Sequence, residues 1–312
     1  MIGLPALYTL AGAMFASFAL LGARDRTNTK RLGNAAFWGL LSVSFLAGDR
    51  IGDLGNGILV LALVALAGCG ALGRGAPGTT TPEERSAFAA ALGNRLFAPA
   101  LIIPATALAG TFALKHVPFV DPRQVTLVSL GLGVLIALAA AGAWLRPPPL
   151  APLEEGRRLI DSVGWAAVLP QMLAALGAVF AIAGVGDVLG GLAGTIIPAG
   201  NLFAAVVAFG LGMAVFTMIM GNAFAAFPVI MAAIGLPILI RGHGGDPAVV
   251  AAIGMLAGFC GTLMTPMAAN FNIVPAALLE LKDRSAVIHA QIGTALPLLI
   301  ANILLIYFAG FR

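Results

Sequence analysis

Asn222, Thr262, Thr265, Asn270 and Asn272 are the polar side chains at two interruptions of an otherwise apolar stretch. The first interruption reads Gly221-Asn222-Ala223-Phe224-Ala225-Ala226-Phe227-Pro228. The second runs Gly261-Thr262-Leu263-Met264-Thr265-Pro266-Met267-Ala268-Ala269-Asn270-Phe271-Asn272. An amide or hydroxyl in hydrocarbon without a partner costs several kcal/mol, so each of these groups must bond to something. They can cap the broken helix ends and bond between helices, or they can hold a ligand. For a ligand, half-helix N-termini offer free N–H groups to an anion, and freed carbonyls at half-helix C-termini suit Na⁺. Neither interruption contains Lys or Arg. A carboxylate bound there would be neutralised by dipoles and a co-ion, which favours a small, singly charged acid. The expected substrate-binding set is Gly221, Asn222, Thr262, Thr265, Asn270 and Asn272, with Na⁺ at backbone carbonyls near Gly221 and Thr265.

Three further groups could carry a coupling ion: Asp187, Glu280 and His289. An ionisable residue inside a membrane is a functional candidate by default, and a histidine there can shuttle protons. Each has a structural alternative: Asp187 as a loop residue, Glu280 in a surface pair with Lys282 or Arg284, His289 bonded to a carbonyl of a neighbouring helix. No HExxH, P-loop or Gly-x-Ser-x-Gly pattern occurs, so no enzyme is expected, and no cofactor other than a coupling Na⁺ or H⁺. Cys69 and Cys260 lie in apolar runs without ligand spacing to a histidine, and read as packing residues.

The elements that position these groups must be membrane helices. The chain is 60% hydrophobic and 10% charged, against roughly 25% charged in soluble domains. Its surface must therefore face lipid. At ~20 residues per span the length predicts an all-α polytopic membrane protein with about eight to ten transmembrane segments, broken or re-entrant in the C-terminal half. The net charge of +4 reflects basic loops that orient the spans, not a nucleic-acid partner. Ile2–Gly22 reads as a retained first span. Leu32–Ala47 and Ile58–Leu72 read as two spans joined by an outer loop around Asp49, Arg50 and Asp53. Thr81-Pro82-Glu83-Glu84 starts a helix inside the long polar stretch Gly73–Gly93. The pattern divides the chain into an N-terminal bundle (1–150), an interfacial amphipathic linker (151–162) and a C-terminal bundle with the broken helices (163–312). The Gly-Asn pairs at Gly93-Asn94, Gly200-Asn201 and Gly221-Asn222 hint at an internal repeat.

At Gly184-Val185-Gly186-Asp187-Val188-Leu189-Gly190 and at both interruptions, the chain resembles the ion-transporter superfamily of carboxylate carriers. Over most of its length it is most similar to a bacterial inner-membrane family implicated as the larger subunit of a two-component 5-oxoproline transporter. The resemblance implies a multi-pass protein of the bacterial inner membrane. It further implies transport of a small carboxylate, a smaller companion membrane subunit and an oligomeric assembly. The superfamily's Ser-Asn-Thr tip is not reproduced; the corresponding positions here are Gly221-Asn222-Ala223 and Thr265 to Asn270. The alternative is a non-transporting scaffold or accessory subunit that stabilises a partner membrane protein.

Overall fold

The structure is a computed structural model that describes residues 2–75, 81–198 and 200–311. Residues 76–80, in the polar stretch Gly73–Gly93, lie outside the described residues. The protein is an all-α polytopic membrane protein: among the described residues, eight helices are long and apolar enough to cross a membrane. Backbone hydrogen bonds close within each helix, which is what a hydrocarbon surrounding demands. The chain forms two compact units, Met1–Asp161 and Ser162–Arg312.

The first unit begins with α1 (Leu4–Arg24) and α2 (Arg31–Gly68). A straight helix of 38 residues would be about 57 Å long, yet the two ends of α2 meet. Lys30 Nζ donates to the Gly70 carbonyl at 2.7 Å, and Asn34 Nδ2 donates to the Gly73 carbonyl at 2.7 Å. The chain therefore reverses inside α2, at Gly52, whose φ of 64° and ψ of −177° are non-helical. Asn56 closes the reversal by donating to the carbonyls of Gly48 and Gly52 at 2.9 and 3.0 Å. The two spans expected here form an antiparallel pair. The outer loop expected between them is instead a reversal at a single glycine, because glycine alone takes that φ without strain. Phe15 of α1 stacks on Trp38 and Phe45 of α2, and Ser42 Oγ donates to the Gly12 carbonyl at 2.7 Å.

The helix start expected at Thr81 is the start of α3 (Pro82–Leu92), closed by a capping box: Thr81 N donates to Glu84 Oε2 at 2.8 Å and Glu84 N donates to Thr81 Oγ1 at 3.2 Å. A 3₁₀ turn, Gly93–Leu96, leads into α4 (Phe97–Ala113), which packs along α5 (Val125–Leu145). Pro104 sits inside α4 without ending it. The extended residue Ile2 is tied to the loop before α5, its N–H donating to the Phe119 carbonyl at 2.6 Å.

The amphipathic stretch expected as a linker is α6 (Ala151–Val163). Its polar face is not all solvated: Arg157 and Asp161 are buried in the first unit. The structural division falls after Asp161, so most of this helix packs with the first unit.

The second unit contains α7 (Leu169–Ile182), α8 (Val185–Ile196), α9 (Leu202–Met220), α10 (Ala223–Ile230), a π-helical segment (Met231–Gly242), α11 (Pro247–Leu263), α12 (Ile273–Leu278) and α13 (Ala286–Ala309). Its core joins Phe209 and Met213 of α9, Leu239 of the π segment, Val250 and Ala257 of α11, and Leu299 and Ile306 of α13. Most of the Gly-rich stretch around Asp187 is helical, as α8, with Gly184 as its left-handed N-cap. The three Gly-Asn pairs each have positive φ at their glycine, 53°, 75° and 71°, but Gly93 has ψ −135° where Gly221 has ψ 1°. Asn201 and Asn222 then cap the following helix.

Candidate functional site

The first break is two residues long. α9 ends at Met220, and Gly221 takes the left-handed conformation, φ 71°, as its C-cap. Asn222 is extended and serves as the N-cap of α10; its Oδ1 accepts from Phe224 N at 2.9 Å. The second break is longer. α11 ends at Leu263, and an irregular segment from Met264 to Asn272 precedes α12.

The two breaks meet. A Cβ on Gly221 would strike the carbonyl of Met267, so only glycine fits where the two segments touch. Thr265, which is buried, donates from Oγ1 to the Met218 carbonyl at 2.8 Å and accepts from Met267 N at 3.2 Å. Gly261 of α11 lies against the Ala214 backbone of α9, and Gly258 lies beside Thr217. Small residues let these backbones approach closely.

Asn272 is the most enclosed polar side chain of the set, at 0% exposure. Its amide nitrogen donates to the Thr262 carbonyl at 2.9 Å and the Thr265 carbonyl at 2.6 Å, holding the end of α11 to the irregular segment. Among the described residues, its Oδ1 is buried without a protein partner. So is Oγ1 of Thr217, also at 0% exposure. A buried oxygen without a donor or cation is costly, and each such atom in a folded protein calls for an explanation. Thr217 was not singled out in the sequence, because it lies within α9 among apolar residues. Its one signal is its place one turn before Gly221.

The remaining expected residues separate. Thr262 is buried, but its hydroxyl donates back to the Phe259 carbonyl at 2.6 Å, a bond within its own helix. Asn270 is exposed, although it lies only two residues from Asn272. The three coupling-ion candidates are also away from the junction's interior. Asp187 is exposed in the first turn of α8, and Glu280 is exposed with φ 54° beyond α12. His289 is exposed, with Nδ1 3.8 Å from Asp283 Oδ2. Among the described residues, no group of three or more His, Cys, Asp and Glu is placed to hold a metal ion.

A cluster of buried charge lies elsewhere, in the first unit. Asp161 Oδ1 accepts from Trp38 Nε1 at 2.7 Å and from Asn34 Nδ2 at 2.9 Å. Arg157 Nη1 donates to Asp25 Oδ2 at 2.8 Å and stands 3.5 Å from Asp161 Oδ2. Asp25 Oδ1 accepts from Thr27 N and Thr27 Oγ1 at 2.9 and 2.6 Å. Burial opposes the Asp25 charge, but these hydrogen bonds and Arg157 outweigh it and hold its carboxyl below the usual carboxylate range.

A comparison with curated proteins and one with solved structures each give no match. A family model described as a protein of unknown function, DUF979, matches residues 5–311. The match takes in both units and both helix breaks, and the chain belongs to the DUF979 family.

Proposed function

We propose that this protein is one subunit of a secondary active transporter for a small organic acid anion, coupled to a cation and working in the bacterial inner membrane with a smaller companion membrane subunit. The observation that carries the reading is the junction of the two breaks. Two interrupted helices touch at Gly221 and Met267, Thr265 bonds across them to Met218, and the buried oxygens of Asn272 and Thr217 lack partners among the described residues. Irregular backbone inside a membrane protein is tolerated where protein buries it or where it lines a cavity, and paired broken helices are the usual midplane site of secondary transporters. The absence of Lys and Arg from both breaks favours a monoanion with a co-bound cation. The sequence resemblance favours 5-oxoproline, a monoanion whose lactam amide suits Asn and Thr partners. No catalytic role is proposed.

The test is binding of 5-oxoproline, and of a panel of small carboxylic acids, to the purified full-length chain with and without the companion subunit. Na⁺ is titrated at fixed pH and ionic strength, with choline as its replacement. Affinity is expected to rise with Na⁺, and linkage requires the substrate to tighten Na⁺ by the same factor. Affinity that follows pH and ignores Na⁺ would replace sodium with a proton. Absence of binding to any acid, with the partner's stability depending on this chain, would replace the transporter by a scaffold.

A further inference from the structure

We propose that Asp161 is a proton-binding site, built where α6 meets the α1–α2 hairpin, that takes up one proton from solvent on Oδ2. The inference does not depend on the transport reading. It rests first on charge. The cluster holds two buried carboxylates, Asp25 and Asp161, against one buried guanidinium, Arg157. One negative charge is left uncompensated in a site largely withdrawn from water. Two carboxylates that share one cation do not both ionise with equal ease.

Geometry decides which of the two accepts the proton. Arg157 is committed to Asp25, at 2.8 Å, and is only 3.5 Å from Asp161 Oδ2. Asp25 also receives two donors from Thr27. Asp161 receives Trp38 and Asn34, both on Oδ1. Oδ2 of Asp161 is thus the more weakly compensated oxygen, and a proton there neutralises the cluster without displacing any donor. α6 carries Glu154, Glu155, Arg157, Arg158 and Asp161 in thirteen residues.

The other charged groups on the elements around Asp161 do not compensate it. Lys30 gives its ammonium to the Gly70 carbonyl, and Arg158 pairs with Glu155 at 2.6 Å. Arg24, Arg26 and Arg74 are exposed, and Arg31 and Glu154 are half-buried. Glu154, two helical turns before Asp161 on the same side of α6, adds negative charge, which also favours the proton.

Trp38 reports directly on the site, since its indole N–H bonds the carboxylate. The other tryptophans, Trp144 and Trp165, are 42% and 48% exposed, and Trp144→Phe with Trp165→Phe leaves Trp38 as the sole indole. In that full-length background, in detergent, Trp38 emission is followed against pH, with far-UV circular dichroism as a check on folding. A reversible transition at constant helicity is expected, centred above the ~3.9 of an ordinary Asp. Asp161→Asn should abolish it. Asp25→Asn should move its midpoint to lower pH, because Arg157 then serves Asp161 alone. A flat emission profile, a transition that coincides with loss of helicity, or one that persists unshifted in Asp161→Asn overturns the proposal. Should Asp161→Asn fail to fold, a midpoint unchanged or raised in Asp25→Asn overturns it equally.

Discussion

Thr265 and Met218 are 47 residues apart in the chain and joined by one hydrogen bond, the Thr265 hydroxyl donating to the Met218 carbonyl at 2.8 Å. Met218 lies in the last turn of α9, where carbonyls lack a helical partner. The second break thereby satisfies the end of the helix that leads into the first, and the two breaks are structurally one feature.

Thr265→Val keeps the shape of the side chain and removes that donor. The expected loss of stability is about 1 kcal/mol, with substrate binding lost or strongly weakened. Thr265→Ser keeps the hydroxyl and should retain both. Thermal unfolding and ligand binding on the two variants check this. Equal binding by Val and Ser would detach the Thr265 hydroxyl from the site.

Asn272→Leu removes the two donors to Thr262 and Thr265 and leaves their carbonyls buried, at an expected cost of about 1–3 kcal/mol. Asn270→Ala should change stability by less than ~0.5 kcal/mol, since Asn270 is exposed. The comparison is made by unfolding in one detergent. A larger loss for Asn270→Ala would mean that residue is enclosed in the working protein.

Gly221→Ala meets both a left-handed φ and the Met267 carbonyl. The conformation alone costs roughly 1–2 kcal/mol for an L-residue, and the contact adds to it. Gly191→Ala is the matched control, because a Cβ there meets nothing within 4 Å. Folded yield and thermal midpoint should fall for the first and hold for the second. Equal behaviour would show that the breaks do not touch at Gly221.

Asn222→Ala removes the N-cap of α10, an expected cost of about 1 kcal/mol, and should abolish substrate uptake while membrane insertion persists. Asn222→Asp keeps an acceptor for Phe224 N and should restore most of the stability. Uptake equal to that of the parent in Asn222→Ala would move the binding site away from the first break.

Asp25 gives a pH dependence with a definite sign. Its folded carboxyl titrates below the unfolded value, so the stability from its ionised form is fully present above about 3.9. That stability is lost as the pH falls through the lower folded value. Asp25→Asn should therefore flatten the acid limb of the stability profile. An unchanged acid limb, measured by thermal midpoint against pH, would show that other carboxylates set it.

Much of the architecture was legible because it is written locally. A span is a run of apolar residues long enough for hydrocarbon, and a break is a glycine followed by a capping Asn, as at Gly221-Asn222. The pairing of the two halves of α2 could be expected from the apolar pattern on either side of Asp49 to Asp53. The one-residue reversal at Gly52 could not, since nothing in composition distinguishes it from neighbouring glycines that stay helical.

Tertiary structure decided which polar groups are enclosed. Asn270 and Asn272 have the same chemistry and stand two residues apart, yet one is exposed and the other fully buried. Thr217 looks like any helical threonine until the residues around it seal its hydroxyl from partners. Asp161 reads as an interfacial charge, but its partners Trp38 and Asn34 lie more than a hundred residues away along the chain. Apolar periodicity tells a helix which face to hide. What covers that face, and hence which charges lose their water, depends on distant segments whose approach no local pattern encodes.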